Sequence, residues 1–241
     1  MHILSIEGNI GTGKSTLINL IENLINSLKN GKEPIHKDFE PFLKKDKDGK
    51  YIYDSVQIIT EPVDKWLELK DSDGENILDK FYKDQKRWSY SFQMNAFITR
   101  SKEILEYSDK KLVIVERSVL TDRNVFAKLL FNSQKISQME WKLYNEWFLW
   151  LTGSFNIMPN KIVYLKASPD VSFKRIKKRS RTEESTIPFS YIEKVSQEHD
   201  NWLSNYENLT LIDANIEFEN NHKRTVQILK TIFNEINLLL G

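Results

Sequence analysis

The residues with the clearest chemical use lie near the start of the chain, where glycines, a lysine and a serine follow a fixed spacing. The pattern G-x-x-x-x-G-K-[ST] runs from Gly8 to Ser15. Glycines let backbone N–H groups curl around phosphate oxygens at a helix N-terminus, whose partial positive charge favours anions. Lys14 can reach the outer phosphates, and the Ser15 hydroxyl can ligate Mg²⁺. The pattern predicts a nucleoside triphosphate site with these contacts: Gly8, Asn9, Gly11, Thr12, Gly13, Lys14, Ser15 and Thr16.

Two acidic residues end apolar segments further along the chain. Glu61 precedes Pro62, which cannot continue a strand, and its carboxylate could accept a proton from an attacking hydroxyl. A solvated loop residue is the alternative for Glu61. Glu116 also ends an apolar run, where a carboxylate could hold Mg²⁺. Arg117 follows it and could bridge phosphate and carboxylate, or form only a surface salt bridge.

A polar stripe marks one face of the helix predicted over 88–107. It consists of Ser89, Gln93, Ala96 and Arg100, at helical spacing. The Gln93 amide presents a donor and an acceptor side by side, which is the pair that clasps the edge of a nucleobase. A merely solvated glutamine is the alternative at a mid-helix position.

A basic run ends another predicted helix. Six of the eight residues from Lys174 to Arg181 are lysine or arginine. Such a run is often a solvated helix face or a nucleic-acid patch. In a chain that binds a nucleotide, we predict instead a mobile lid that closes arginines over the triphosphate.

Short apolar runs alternate with helical patterns along the chain, and these elements must position the residues above. The predicted strands are 2–6, 56–60, 112–116, 161–165 and 209–213. The predicted helices are 14–29, 64–69, 75–82, 88–107, 120–131, 137–152, 168–179, 188–206 and 219–239. This alternation predicts an α/β fold with a five-stranded parallel sheet covered by helices on both faces. Ligands bind beyond the carboxyl ends of such strands.

The stretch 29–54 interrupts the alternation of strands and helices. It is polar, of mixed charge, and contains two glycines and two prolines. We therefore expect a long insertion loop or hairpin that is partly disordered.

Composition limits the classes of function. The chain has 241 residues, 40% hydrophobic and 29% charged, with a net charge of +1 and no cysteine. This balance suits one globular domain over 1–241, with no nucleic acid or membrane as the main partner. The absence of cysteine excludes disulfides and fits a reducing compartment. A strand at the start of the chain leaves no room for a signal peptide, so we expect a cytoplasmic protein.

The histidines show no spacing typical of metal ligands. We expect all of them on the surface: His2, His36, His199 and His222.

Taken together, these segments resemble the deoxyribonucleoside kinase family, of the deoxycytidine, deoxyguanosine and deoxyadenosine kinase type. The resemblance rests on the segments 6–16, 61–66, 87–93 and 116–119 and on the spacing of Arg175, Arg179, Arg181, Glu183 and Glu184. The anchors occur in the family's order from residue 3 to about residue 203. The resemblance implies a P-loop kinase fold with a basic lid over 174–186. It also implies transfer of the γ-phosphoryl group of ATP, with Mg²⁺, to the 5′-hydroxyl of a deoxyribonucleoside.

The resemblance further implies a role for each matching residue. Glu61 is similar to the family's general base, and Arg117 to its partner at the same hydroxyl; Lys14 completes the catalytic set. Ser15 and Glu116 correspond to the residues at the metal. The lid arginines correspond to Arg175, Arg179 and Arg181. The implied substrate contacts are Glu61, Trp66, Tyr82, Gln93, Ala96, Phe97, Arg100, Arg117, Asp122, Phe126 and Glu184.

Within that set, Tyr82 and Glu184 match the positions that hold the sugar 3′-hydroxyl. Arg100 and Asp122 match a pair that accompanies deoxycytidine and purine deoxynucleosides in the family, whereas smaller or apolar residues accompany thymidine. Such a pair fills the space that a thymine methyl group needs and offers polar contacts to exocyclic groups. We therefore expect deoxycytidine, deoxyadenosine or deoxyguanosine as the substrate.

Two other functions remain open from the sequence. A nucleoside monophosphate kinase of the thymidylate type has the same sheet and loop, although its third strand more typically ends in Asp-Arg-Tyr. A nucleotide switch or ATPase acting on a protein partner is the second alternative, but the chain has no Asn-Lys-x-Asp pattern. The predicted helices 88–107 and 137–152 carry many aromatic residues. Core packing explains any single one, while their number and the family resemblance favour a homodimer.

Overall fold

The central sheet is built from short apolar segments that pair in parallel. The structure, a computed structural model, describes residues 1–34, 36–179 and 187–241. Its five strands are β1 (His2–Glu7), β2 (Val56–Ile59), β3 (Leu112–Glu116), β4 (Lys161–Lys166) and β5 (Leu209–Asp213). They lie in the order β2-β3-β1-β4-β5, and all four neighbouring pairs are parallel. The five-stranded parallel sheet and the α/β class are confirmed, with each strand within one residue of its predicted bounds.

Helices connect the strands and cover both faces of the sheet. They are α1 (Lys14–Lys29), α2 (Val63–Glu68), α3 (Ile77–Lys83), α4 (Gln85–Glu106), α5 (Val119–Thr121), α6 (Lys128–Asn132), α7 (Gln138–Ser154), α8 (Pro169–Arg179), α9 (Phe189–Leu203) and α10 (His222–Leu240). One core packs α1 and α10 against the sheet, and a second core packs α4 and α7 against its other face. Among the helices of the described residues, none combines the length and hydropathy that a bilayer crossing requires.

Local sequence signals explain where several helices begin. The side chain of Asp84 accepts a hydrogen bond from the backbone N–H of Arg87 at the start of α4. At the start of α7, the hydroxyl of Ser137 accepts from the backbone of Glu140, whose carboxylate accepts from the backbone N–H of Ser137. Such caps satisfy backbone donors that have no partner inside the helix. They fix the ends of the two helices that form the second core.

The predicted helix over 120–131 has a different form. Between α5 and α6 the chain makes a π-helical turn, Asp122–Ala127. A π-helical turn widens the backbone and is often found at functional sites. The hydrophobic pattern alone could not distinguish it from a regular helix, because the two differ by a single residue per turn.

The segment 29–54 contains more packing than its polar composition suggested. It forms two short 3₁₀ helices, Lys37–Phe42 and Ile52–Ser55, and it buries the rings of Phe39, Phe42 and Tyr53. The Tyr53 hydroxyl donates to Asn237 of α10 at 3.0 Å. The prediction of a polar loop missed this packing, because three aromatic side chains among many lysines and aspartates anchor the segment to α10. Ile35 lies outside the described residues.

One histidine contradicts the prediction that all four lie on the surface. His199 in α9 is fully buried, while His2, His36 and His222 are exposed as expected. The His199 ring stacks on the ring of Tyr164 at 5.8 Å, and its Nδ1 lies 2.8 Å from the carbonyl oxygen of Val195. Burial lowers the pKa of His199 to about 3. His199 therefore stays neutral in the folded protein, and its position on the buried face of an amphipathic helix was the signal for its burial.

This burial predicts a loss of stability in acid. The unfolded chain takes up a proton at His199 below its ordinary pKa of 6.5, whereas the folded chain does so only near pH 3. The contribution of the neutral His199 to the free energy of unfolding is therefore complete above pH 6.5 and is lost as the pH falls toward 3. Between pH 7.5 and 4.5, the free energy of unfolding should fall by about 2 to 3 kcal/mol more in the wild type than in His199→Phe. Urea unfolding at the two pH values measures this difference, and equal losses in both proteins would contradict it.

Candidate active site

The phosphate-binding pattern forms the connection between β1 and α1, at the carboxyl edge of the sheet. Gly11 and Gly13 have φ angles of 78° and 95°, a region that favours glycine. A Cβ atom at Gly11 would lie 2.5 Å from the carbonyl oxygen of Ser172 in α8. A Cβ atom at Gly13 would lie 3.0 Å from the ring of Phe218. Both glycines are therefore required by packing as well as by backbone conformation.

Lys14 lies across the loop to which it belongs. Its ammonium group is buried and donates to the carbonyl oxygen of Asn9 at 2.8 Å. Burial lowers the pKa of Lys14 to about 7, and the nearby charge of Arg117 acts in the same direction. A phosphate group at the loop would oppose both effects, because an anion favours the charged form of the amine.

The hydroxyl of Ser15 meets an acidic residue from the neighbouring strand. Ser15 Oγ donates to Glu116 Oε1 at 2.7 Å, and Glu116 ends β3. Hydroxyl and carboxylate oxygens are the ligands that Mg²⁺ prefers. Ser15 and Glu116 therefore offer side-chain oxygens that fit Mg²⁺.

A network of two arginines and two carboxylates lies beside the loop. Glu61 accepts from Arg117 Nη1 at 2.7 Å and from Arg100 Nη2 at 3.3 Å. Arg100 Nε also donates to Asp122 at 2.9 Å, and both side chains of that pair are almost fully buried. Burial alone would raise the pKa of Glu61, but the charges of Arg117 and Arg100 lower it to about 2. Glu61 is therefore ionised throughout the neutral range.

One cavity of about 840 Å³ is lined by most of the charged and polar groups described above, although Arg100 is not among its lining residues. Fifteen of the residues predicted for the site line it: Gly11, Gly13, Lys14, Ser15, Thr16, Glu61, Trp66, Tyr82, Gln93, Ala96, Glu116, Arg117, Asp122, Phe126 and Arg179. A cavity of this volume is within the range of small-molecule sites. The fold therefore brings the phosphate loop, the carboxylate of Glu61 and two residues of the polar stripe of α4, Gln93 and Ala96, to a single site.

Gln93 carries a polar atom without a partner. The side chain is only 4% exposed, and its Oε1 accepts no hydrogen bond from the described residues. A buried acceptor left unpaired is unfavourable by about 1 to 3 kcal/mol. A ligand with a donor group at that position would remove this penalty, as the edge of a nucleobase does.

Aromatic rings form the wall next to Gln93. The rings of Phe81 and Phe92 stack at 4.6 Å, and Trp66 meets Phe92 edge-on at 5.3 Å. The indole N–H of Trp66 donates to Thr99 Oγ1 at 3.0 Å, which fixes the orientation of its ring. On the far side, the Arg117 guanidinium lies 5.2 Å from the centre of the Phe126 ring. These flat walls suit a planar base.

Several predicted residues lie near the cavity without lining it. Phe97 points away and packs against Tyr144 and Phe148 of α7, because one step along α4 turns a side chain by about 100° from the face of Ala96. Arg100 does not line the cavity, but it donates to two residues that do, Glu61 and Asp122. The remaining three belong to the phosphate loop itself: Gly8, Asn9 and Thr12.

The segment predicted to form a basic lid, 174–186, is only partly within the described residues. Arg179 lines the cavity. Arg175 faces the loop after β5 and donates to the carbonyl oxygens of Ala214 at 2.7 Å and Asn215 at 3.3 Å. Arg181 and Glu184 lie outside the described residues.

The structure adds residues that sequence reasoning missed. Leu78 and Phe81 of α3 and Tyr191 of α9 also line the cavity. Burial raises the pKa of the Tyr191 phenol far above its usual range. Tyr191 follows the basic run by several residues and belongs to an amphipathic helix. Its sequence therefore carried no signal that it would face the cavity rather than the core.

A phosphate loop lies at the edge of a parallel sheet, and the carboxylate of Glu61, paired with two arginines, lines the same cavity. This combination defines a phosphotransferase of the P-loop class. The family model described as deoxynucleoside kinase matches residues 50–238. The chain belongs to the deoxynucleoside kinase family. It is therefore a deoxynucleoside kinase, with the P-loop kinase fold that the sequence predicted, and the thymidylate-type alternative is not favoured.

Curated relatives cover most of the chain. It is 36% identical to a probable deoxycytidine kinase of fowlpox virus (strain NVSL), over 98% of this chain and 88% of the relative. It is 32% identical to the mitochondrial deoxyguanosine kinase of Xenopus laevis, over 90% of this chain and 83% of the relative. It is 29% identical to the deoxycytidine kinase of Homo sapiens, over 94% and 89% respectively. The resemblance inferred from the motifs is thereby confirmed.

Proposed function

We propose that this kinase transfers the γ-phosphoryl group of ATP to the 5′-hydroxyl of deoxycytidine or a purine deoxynucleoside, in preference to thymidine. The observation that carries the proposal is that one cavity is lined by Lys14, Glu61 and Gln93, and that the amide oxygen of Gln93 has no hydrogen-bond partner among the described residues. Lys14 suits the phosphates of ATP. Glu61 and Gln93 suit the attacking hydroxyl and the base of the nucleoside. Deoxycytidine and deoxyguanosine kinases among the relatives support the same substrate class and a role in nucleotide salvage. A competition assay with the four natural deoxynucleosides and ATP tests it.

The phosphate end of the cavity is assigned to ATP and Mg²⁺. Backbone N–H groups of the loop and the Lys14 ammonium would hold the phosphates. Ser15 and Glu116 would hold Mg²⁺, since their oxygens already lie 2.7 Å apart at this end. When bound, the ion neutralises phosphate charge. Arg179 lines the same cavity, which supports its assignment to the lid, and the equivalent roles of Arg175, Arg181 and Glu184 remain predictions.

Glu61 is assigned to the attacking hydroxyl. Its low pKa keeps it ionised, so it can accept a hydrogen bond from the hydroxyl at neutral pH. A carboxylate with so low a pKa is a weak base. In a loose phosphoryl-transfer transition state, however, orientation of the nucleophile matters more than early proton removal. Glu61 therefore aligns the oxygen and takes the proton late, while Arg117 fixes the carboxylate and lies beside the transferred group.

The substitution Glu61→Gln tests this assignment. The amide has nearly the same shape but cannot take the proton, so kcat should fall by about 10² to 10⁴ while nucleoside affinity changes little. Steady-state kinetics and equilibrium binding of the nucleoside measure the two effects. Glu68→Gln, on an exposed position of the neighbouring helix α2, is the matched control and should match the wild type. Undiminished turnover in Glu61→Gln would remove Glu61 from this role.

The base preference is assigned to the pair of Arg100 and Asp122. Asp122 lines the cavity and Arg100 holds it from behind, so the pair occupies volume that a thymine methyl group would need. Asp122 also requires Arg100, because a lone charge at a site so deeply buried is strongly unfavourable. A change in base preference therefore requires both residues to be replaced.

The double variant Arg100→Met with Asp122→Ala should open the pocket to thymidine. We expect the ratio of kcat/KM for thymidine to that for deoxycytidine to rise about 10- to 200-fold, the usual value of one methyl group in an apolar pocket. The single variant Arg100→Met serves as a control and should be less stable than the double variant, since it leaves the buried Asp122 without its ion-pair partner. A double variant that gains no thymidine turnover would contradict the assignment.

We also propose a homodimer formed through the outer face of α7. Leu143, Trp147 and Trp150 lie together on this helix and are 46%, 47% and 56% exposed. Isolated exposed apolar residues are normal, but a cluster of two tryptophans and a leucine is typical of an interface. The opposite face of α7 packs in the second core through Tyr144 and Phe148, and that core does not include Leu143, Trp147 or Trp150.

Trp147→Lys should convert the dimer into a monomer. A lysine at the centre of an apolar interface leaves an uncompensated charge when two copies meet. Sedimentation equilibrium should give twice the mass of one chain for the wild type and the mass of one chain for Trp147→Lys. Leu238 of α10 is 76% exposed, compared with 47% for Trp147. Leu238→Lys is therefore the matched control and should leave the mass unchanged. A wild-type monomer at micromolar concentration would contradict the proposal.

Four expectations from composition remain predictions. They are a single domain over 1–241, a cytoplasmic location, and the absence of nucleic-acid and of membrane partners. Near-neutral charge and the lack of cysteine support them.

A further inference from the structure

A buried carboxylate lies directly before the phosphate loop, outside the cavity. Glu7 ends β1 and is fully buried. Its Oε1 accepts from Ser5 Oγ at 2.5 Å and from the backbone N–H and hydroxyl of Ser118 at 2.9 and 2.6 Å. Its Oε2 accepts from the hydroxyl of Thr121. All the donors are neutral, so this carboxylate is not one half of an ion pair.

Most of these donors belong to the segment that carries Arg117. Ser118 directly follows Arg117, and Thr121 lies one helical turn further on. Arg117 itself has a φ angle of 61°, in the left-handed region that residues with a Cβ atom rarely adopt. Such a conformation persists only where the surrounding structure holds it in place.

The backbone on both sides of Arg117 is fastened to β1. The N–H of Arg117 donates to the carbonyl oxygen of Ile6 at 3.1 Å, and the next N–H, that of Ser118, donates to Glu7. From the other direction, Arg100 Nη1 donates to the carbonyl oxygen of Glu116 at 2.8 Å. The only side-chain anion among these anchors is Glu7. It fixes the peptide that follows the left-handed residue.

This arrangement determines where the Arg117 side chain points. With its backbone held in the left-handed region, the guanidinium lies 2.7 Å from Glu61 and over the ring of Phe126. A different φ angle at Arg117 would turn the side chain away from Glu61, because rotation about the N–Cα bond moves the Cβ atom. The position of the guanidinium therefore depends on the bonds that hold the next peptide.

A direct chemical role for Glu7 does not fit the geometry. Glu7 is absent from the residues that line the cavity, and its two oxygens are already occupied by the donors described above. A purely structural role does not require a charge, since an apolar residue ends a buried strand at lower cost than a carboxylate. A strong acceptor is needed where several donors converge on one short segment.

We propose that Glu7 is a positioning residue, which holds Arg117 in its left-handed conformation and so aims the guanidinium at Glu61. The proposal deepens the proposed function, because it rests on the roles of Arg117 and Glu61 in phosphoryl transfer. Glu7 acts through Ser118 and Thr121 and does not touch the substrate.

The main test is the variant Glu7→Gln in the full chain. The amide keeps the size of the side chain but turns an N–H group toward donors, so the segment after β3 should shift. A misplacement of about 1 Å in a catalytic group can lower the rate about 100-fold, and we expect kcat to fall by about 10- to 100-fold with little change in KM for ATP. In an Arg117→Lys background, Glu7→Gln should lower kcat by less than about threefold, since its effect passes through Arg117.

Two serines provide a matched pair of variants. Ser5 and Ser118 are both fully buried and both donate a hydroxyl to Glu7 Oε1, but only Ser118 belongs to the segment with Arg117. The variants Ser5→Ala and Ser118→Ala should lose similar thermal stability. Only Ser118→Ala should have a lower kcat, by about 3- to 10-fold, which corresponds to the loss of about one hydrogen bond. This pair keeps the test decisive if Glu7→Gln does not fold.

The outcomes separate this inference from the proposed function. Wild-type kcat in folded Glu7→Gln, full additivity with Arg117→Lys, or equal losses of kcat in the two serine variants would each overturn the positioning role. A crystal structure of Glu7→Gln, or of Ser118→Ala, gives a readout that needs no activity. If the Arg117 guanidinium stayed at its distance of 2.7 Å from Glu61, the inference would fail. If the wild type phosphorylated no deoxynucleoside, the proposed function would fail instead.

Discussion

The carboxylate of Glu61, held between the guanidinium groups of Arg117 and Arg100, is the interaction on which the site depends. These residues come from the end of β2, the end of β3 and the middle of α4. Each charge would be strongly unfavourable alone in so enclosed a place, and each is stabilised by the others. The network therefore fixes both the geometry of the cavity and the ionised state of Glu61. Its position at the carboxyl edge of the sheet brings it beside the phosphate loop.

The network also links two residues to which different roles are proposed. Arg100 donates to Glu61, proposed to align the attacking hydroxyl, and to Asp122, proposed to set the base preference. The π-helical turn that begins at Asp122 also contains Phe126, and both residues line the cavity. In the proposed function, recognition of the base and alignment of the hydroxyl are therefore coupled through one buried guanidinium. A change of base preference has to preserve the position of Glu61.

Packing around the phosphate loop restricts its shape from several sides. Gly11 lies against the backbone of α8, and Gly13 lies against the ring of Phe218 in the loop after β5. Asn9 donates from its amide to the carbonyl oxygen of Ile192 in α9. The helices α8 and α9 therefore both contact the loop. Binding of phosphate at the loop and the positions of these two helices can influence each other through these contacts.

The sequence by itself determined the strands, the main helices and the phosphate-loop motif. Apolar runs and the fixed spacing of Gly8 to Ser15 are local signals, and the strands began and ended within one residue of their predicted bounds. Tertiary structure decided the π-helical turn and the direction of several side chains. Phe97 turned into the core and Tyr191 reached the cavity, because each choice depends on which helix packs against which face. The bonds of Glu7 to Ser118 and Thr121 join residues more than 100 positions apart, and spacing within a sequence carries no record of such contacts.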